Sequence, residues 1–410
     1  MKGEIIAIGD ELTTGRTRDS NSAFAAKELF RAGHELLAIA TIGDTPEEIG
    51  AMLKRAVARS DFVIVTGGLG ATSDDLTNEA VSKALARPIV LYHDILLRLQ
   101  RETPVAGKHP MEKLAWLPEG SEILKPDAAM AGHLLFVDGT PVFFLPGVPH
   151  EMRELMQSQV LPRLATHGKQ SRFVRQQVFK IHGLPETEIN RRMAGLEHGD
   201  EIAIGYYPIF PDVHLVLTIV GTDETNLDAV FHDVRQQILL LLGDSIFATD
   251  NGTMEETVVR LLRKEKKTLA LAESCTGGMI ASRITDIPGA SACFLGSVVA
   301  YSNQLKISLL GVAEETLTGH GAVSEETARE MAEGVRRKTG ADLGLSVTGI
   351  AGPDGGSREK PVGTVFIAIA APTQTLCQRF SFCGSRWQIR QATCQEGLDL
   401  VRRLPADGRK

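Results

Sequence analysis

Leu269-Ala270-Leu271-Ala272-Glu273-Ser274-Cys275-Thr276-Gly277-Gly278 is the stretch on which the reading of this chain turns. An apolar run, Leu269–Ala272, ends in a polar turn whose glycines lead into a helix. Strand, turn and helix in that order place Ser274 at the carboxyl end of a strand, where open α/β sheets bind ligands. The pattern recurs at the other end of the chain. Phe62–Val65 runs into Thr66-Gly67-Gly68-Leu69-Gly70, and Val142–Leu145 passes through Pro146-Gly147-Val148-Pro149 to a helix bearing Met152, Leu155 and Met156. Alternating β and α elements predict a mostly parallel sheet covered on both faces. The expected class is α/β: two three-layer α/β domains joined by a small α+β domain.

Three domains are expected, at 1–168, 169–250 and 251–410. In the first, Ile5–Ile8 reads as a strand, with a helix around Ser22–Arg31. Thr45-Pro46-Glu47-Glu48 predicts a helix start with Thr45 as N-cap, proline at N1 and glutamate at N3. In the second, Phe173–Ile181 and His214–Val220 alternate like strands, with a short helix around Glu186–Gly195 and a longer one around Asn226–Leu242. The third opens on a capping box, Thr253-Met254-Glu255-Glu256. Its clearest strands are Leu269–Ala272, Gly296–Ala300, Leu343–Val347 and Val365–Ala370.

A chain of 410 residues, 43% hydrophobic and 23% charged, has the composition of a soluble globular protein. Its net charge of −7 argues against a general nucleic-acid binder. The basic cluster Arg263-Lys264-Glu265-Lys266-Lys267 falls at a helix end, where it complements the helix dipole. No apolar run is long enough to span a bilayer, and the N-terminus lacks a signal-peptide layout. The five cysteines begin at Cys275 and form no CxxC pair, so neither a disulfide framework nor a structural zinc site is expected. The expected compartment is the cytoplasm.

Ser274 needs a base to become a nucleophile. Lys306, just after the strand Gly296–Ala300, serves if desolvation lowers its pKa. Free N–H groups at the following helix N-terminus could stabilise an oxyanion. A competing arrangement makes Cys275 the nucleophile with His320, although a small thiol beside a strand end is more often packing. The loop Gly349–Gly356 either approaches a phosphate or simply connects strands tightly. Lys360, Arg386 and Arg390 are candidate phosphate partners, and Thr276, Gly277 and Gly278 candidate substrate contacts. Ser324 reads as a helix cap. Serine, lysine and glycine-rich backbone together suggest an amide hydrolase acting on a phosphorylated small molecule.

Several long motifs then become specific: AESCTGG at Ala272, YSN-x-x-K from Tyr301 to Lys306, GHGAVSEET at Gly319, SVTGIAGPDGGSREKPVGTV at Ser346, and Gly384-Ser385-Arg386 followed by Arg390. They resemble the C-terminal domain of the CinA family, the PncC-type nicotinamide mononucleotide deamidase. Gly9-Asp10-Glu11-Leu12, the TGGLG stretch with Asp74 and Asp75, and LPGVPHEM at Leu145 resemble that family's molybdopterin-binding-like (MoaB/MogA-like) domain. The middle segment is similar to its KH-like domain.

The resemblance implies hydrolysis of nicotinamide mononucleotide to nicotinate mononucleotide and ammonia, within the pyridine nucleotide cycle. It implies that Ser274 attacks, Lys306 handles the proton and Tyr301 orients Lys306. Thr348, Gly349, Gly352 and Asp354 would line the nucleotide site, Arg386 or Arg390 would meet the phosphate, and no cofactor is needed. For the N-terminal domain it implies an ADP-ribose pyrophosphatase using magnesium or cobalt. Asp10, Glu11, Asp74 and Asp75 would face the diphosphate, with Asp10, Asp74 and Asp75 on the metal and Gly67, Gly68 and Gly70 cradling phosphate. Ala71 departs from the family's TGGLGPT, where proline is usual. A homodimer without nucleic-acid or membrane partners is implied. The middle segment's Ile181-His182-Gly183-Leu184-Pro185-Glu186 lacks the GXXG that clamps nucleic acid in KH domains. Two other readings remain: a competence-related binding protein, and a molybdopterin-handling protein.

Overall fold

The computed structural model describes residues 1–105, 107, 109–125, 132–167, 172–196 and 201–404. The expected border at 168/169 and positions 405–410 lie outside the described residues. By packing, the chain divides into two compact units: Met1–Gln176 with Ile219–Phe231, and Gln177–Thr218 with His232–Lys410.

The first unit holds a six-stranded sheet, in the order Glu35–Ile42, Lys2–Ile8, Phe62–Thr66, Thr140–Leu145, His133–Val137, Glu122–Ile123. The first four pair in parallel; the last two add antiparallel. Alternation along the central strands explains the layers. Ile6, Ile8, Val63 and Val65 join one core, with Ile49 and Leu53 of the helix Pro46–Val57. Ile5, Phe62 and Ile64 join the opposite core, with Ala25 and Leu29 of the helix Ser20–Arg31. The helix at Pro46 begins where expected, but the Thr45 side chain makes no capping bond. Proline at its start and Glu47 and Glu48 in its first turn support that end instead.

The middle segment forms a four-stranded sheet, ordered Ile202–Ile209, Asp212–Gly221, Phe173–Ile181, Ile246–Ala248. Its helices are Glu186–Met193 and Glu224–Leu242. The strand Ile202–Ile209 was absent from the sequence reading, because Gly205 and Pro208 interrupt its β pattern.

The C-terminal sheet runs Phe294–Val299, Leu269–Glu273, Leu343–Gly349, Thr364–Ala370, Thr375–Ser381. Its first three strands are parallel and the rest antiparallel. Leu269 and Leu271 face a core shared with the helices Met254–Glu265, Met279–Thr285 and Arg386–Arg403. Ala270 and Ala272 face the other side, against Met331 and Val335 of the helix Glu325–Thr339. Small residues there permit close approach: a Cβ on Gly344 would lie 2.2 Å from the Ala332 carbonyl oxygen. Thr253 makes the expected capping box with Glu256, and Ser324 caps its helix through the Thr327 amide. Among the described residues no helix is long and apolar enough to cross a membrane.

Candidate active site

The strand Leu269–Glu273 delivers Ser274 to its carboxyl end, where the Ser274 amide donates to the Val347 carbonyl of the next strand. The turn that follows needs left-handed backbone at Gly277 (φ 63°) and Gly278 (φ 90°), which glycine adopts without strain. Lys306 comes from the helix Asn303–Leu310, capped by the Ser302 hydroxyl. Lys306 is 1% exposed; its Nζ lies 3.1 Å from Ser274 Oγ and donates to the Ala300 carbonyl (2.8 Å) and the Tyr301 carbonyl (3.2 Å). Burial pulls the Lys306 pKa below the ordinary lysine value.

Sequence reasoning missed Glu273. Its side chain is fully buried, and its carboxylate accepts from the Thr276 hydroxyl (2.7 Å), the Ile280 amide (3.1 Å), the Ala281 amide (3.0 Å) and the Ser297 hydroxyl (3.2 Å). Glu273 therefore caps the helix Met279–Thr285 and ties the serine turn to the neighbouring strand. Two expectations are corrected. The amides of Ile280 and Ala281 are committed to Glu273, so that helix start does not offer them to an oxyanion. Thr276 directs its hydroxyl to Glu273 and only its carbonyl elsewhere, to Arg390 Nη2 at 2.6 Å.

Tyr301 meets Lys306 through its carbonyl oxygen; the phenol oxygen accepts from Arg386 Nη2 at 3.1 Å. The expected orienting role thus belongs to the backbone, and the ring is exposed. Arg386 also donates to the Gly352 carbonyl at 2.7 Å, so it bridges Tyr301 and the glycine-rich loop. Gly349 abuts the next strand, where a Cβ would lie 2.6 Å from Val365 Cγ2. Thr348 is buried and donates to the Ala322 carbonyl at 2.6 Å, so its hydroxyl is taken up internally. Asp354 is exposed. Lys360 is drawn to the His320 carbonyl at 2.8 Å.

Cys275 is buried, and desolvation pushes its thiol up to about 12, so it stays protonated and a poor nucleophile. His320 pairs instead with Glu326, 3.2 Å away.

In the first unit a cavity of about 410 Å³ opens at the strand ends. It is lined by Gly67, Gly68 and Gly70 together with Glu11, Asp44, Asp74 and Asp75. Gly67 has φ 107°, and a Cβ there would lie 2.1 Å from the Ile8 carbonyl oxygen, so only glycine fits. Ala71 packs against the apolar cluster of Ile95, Leu99 and Leu117. Asp44 is a second residue the sequence reading missed. Burial, with the charges of Asp10, Glu11 and Asp75, holds its carboxyl above the usual range, against the lowering effect of the Asp10 amide.

The three expected metal ligands do not converge. Asp10 Oδ1 accepts from the Asp44 amide (3.1 Å), Asp75 accepts from the Thr72 amide and hydroxyl (2.9 and 2.6 Å), and Asp74 from Ser73 (3.1 Å). Among the described residues, the side chains that do gather three ligand atoms within 4.8 Å are His182, Glu396 and Asp399. The acidic cavity still fits a hydrated divalent cation, because such an ion is held through one or two carboxylates, water and substrate phosphate.

Three family models match successive stretches of the chain. Residues 4–166 match the model described as "Probable molybdopterin binding domain", 176–248 the "Damage-inducible protein CinA KH domain", and 251–404 the "CinA C-terminal domain". A CinA-like protein of Desulfotalea psychrophila is 51% identical over 409 residues, covering 98% of each chain. The chain belongs to the CinA family. A CinA-like protein of Syntrophus aciditrophicus is 41% identical over 417 residues, covering 100% of this chain and 99% of its own. The crystal structure of competence/damage inducible protein CihA from Agrobacterium tumefaciens is 40% identical, covers 37% of this chain and 94% of its own, and superposes with a TM-score of 0.35. Family membership thus joins an N-terminal segment that matches a probable molybdopterin binding domain to a CinA C-terminal domain in one chain.

Proposed function

We propose that this CinA-family chain hydrolyses the carboxamide of nicotinamide mononucleotide to nicotinate mononucleotide and ammonia. The observation that carries the reading is Lys306 Nζ, buried 3.1 Å from Ser274 Oγ and held by two backbone carbonyls. A neutral amine has two N–H bonds and one lone pair. The carbonyls of Ala300 and Tyr301 take the two N–H bonds, which leaves the lone pair for the Ser274 hydroxyl. Lys306 then removes the Ser274 proton as Oγ bonds to the amide carbon. Amides of the turn after Ser274 stabilise the oxyanion. On collapse the C–N bond breaks, and the Lys306 ammonium gives its proton to the departing –NH2 nitrogen, which leaves as ammonia. Lys306 next deprotonates the water that hydrolyses the acyl-enzyme and regenerates Ser274. Arg386 and Arg390 supply positive charge for the phosphate.

Ser274→Ala and Cys275→Ala separate the two nucleophiles. The serine variant is expected to lose turnover by at least about 10³-fold, and the cysteine variant to keep it within a few fold. Retained turnover in Ser274→Ala would overturn the reading. If the parent protein has no turnover, a competence-related binding protein becomes the better account.

A second activity is favoured by the acidic, glycine-lined cavity: metal-dependent hydrolysis of ADP-ribose. One or two of the carboxylates lining the cavity, from among Asp44, Asp74 and Asp75, would hold a hydrated magnesium or cobalt ion, which when bound neutralises diphosphate charge. Gly67, Gly68 and Gly70 bring backbone close to the phosphates. Release of AMP from ADP-ribose with either metal, reduced about 100-fold in Asp75→Asn, is the expected result. No AMP with any divalent metal would leave this cavity as a binding site only. The homodimer belongs to the same proposal.

A further inference from the structure

The helix Arg386–Arg403 carries Arg386 and Arg390 on its first turns, and its other end is gripped by residues of the middle segment. His182 is buried there between two carboxylates. Its Nδ1 lies 2.7 Å from Asp212 Oδ1 and its Nε2 lies 3.0 Å from Glu396 Oε2. Asp212 Oδ2 also accepts from Gln395 Nε2 at 2.7 Å. The His182 amide donates to the Ser245 carbonyl at 2.9 Å, and Arg402 Nη2 donates to the adjacent Asp244 carbonyl at 2.6 Å. Nearer the helix start, the rings of Phe210 and Trp387 lie 6.3 Å apart.

A histidine with an acceptor on each ring nitrogen must be protonated to donate to both. Burial opposes this, but Asp212 and Glu396, helped by Asp399, push the His182 pKa up to about 9. The local charges close: Asp212, Glu396 and Asp399 face His182, Arg402 and Arg403. Arg402 and Arg403 already occupy the two oxygens of Asp399, so the imidazolium, and not a metal cation, completes the cluster. His214, on the same strand as Asp212, is held below its ordinary value by burial and by Lys180, and stays neutral where His182 titrates.

We propose that His182 and Asp212 are positioning residues: their charged hydrogen bonds to Gln395 and Glu396 hold the arginine helix, and with it Arg386 and Arg390, in register with the Ser274 turn. This gives the KH-like segment a task that needs no nucleic acid. Its kinetic readout rests on the deamidase reading, and its optical readout does not.

The chain has two tryptophans, so Trp116→Phe leaves Trp387 as the sole tryptophan, excited apart from the four tyrosines and reporting the start of the arginine helix. His182→Ala and Asp212→Asn are expected to raise KM for nicotinamide mononucleotide about tenfold with kcat within about twofold, because a displaced phosphate clamp weakens binding before chemistry. With His182 intact, in the Trp116→Phe background, KM and Trp387 emission should both shift as pH rises through about 9, since the imidazolium is lost there. Neither shift should occur in His182→Ala. Parent-like KM and emission in both variants would overturn the proposal, as would a fall in kcat and Tm with KM unmoved. If the parent has no turnover, the deamidase reading fails alone: an emission step lost in His182→Ala still supports the brace, and no step overturns it.

Discussion

Lys306 is useful because it is buried with the Ser274 hydroxyl and two backbone carbonyls, and among the described residues no carboxylate is paired with it. Desolvation favours its neutral form, and two carbonyls orient it toward Ser274. The sign of the pH dependence follows: the base works above its own pKa, so kcat/KM rises with pH along a limb whose midpoint lies below 10.5, the ordinary lysine value. Lys306→Arg cannot deprotonate and should abolish both the limb and the turnover. A limb that survives in Lys306→Arg would assign it to another group. Ser274 and Lys306 were legible in the sequence because each sits just past an apolar strand of one sheet. Glu273 was not. Its four donors come from the turn, the next helix and the neighbouring strand, and only the folded sheet assembles them.

The strand-turn-helix element around Ser274 depends on that buried carboxylate. Glu273→Gln keeps the shape but turns an amide N–H₂ toward groups that themselves donate. The expected cost is about 2 kcal/mol of stability, read as a lower denaturant midpoint. An unchanged midpoint would mean that Glu273 is not the cap. Strong helix starts such as Thr253 with Glu256 were readable because the capping box is local. The strand Ile202–Ile209 was not, because glycine and proline lie inside it and its pairing partner is distant in sequence. Asp44 escaped for a related reason: the edge strand Glu35–Ile42 that aims it into the cavity was not recognised. The carboxylates expected on the metal came as one set from the family resemblance. The backbone sends Asp10, Asp74 and Asp75 to separate partners.

At the scale of the whole molecule, two α/β sheets each carry a candidate site at their strand ends, one acidic and one built on serine and lysine. Their chemistry differs in what it needs. Chelating divalent metal should stop ADP-ribose hydrolysis and leave deamidation unchanged; loss of both would contradict a metal-free serine mechanism. The α/β class and the family were legible because several motifs fall in order along nearly the whole chain. What sequence could not convey is the long-range clamp of His182, Asp212 and Glu396, whose members are 30 and 214 residues from the histidine. The most direct test is release of ammonia and nicotinate mononucleotide from nicotinamide mononucleotide by chelator-treated protein, beside Lys306→Ala. The account predicts turnover in the parent and its loss in the variant. Equal turnover in the two, or none in the parent, would contradict it.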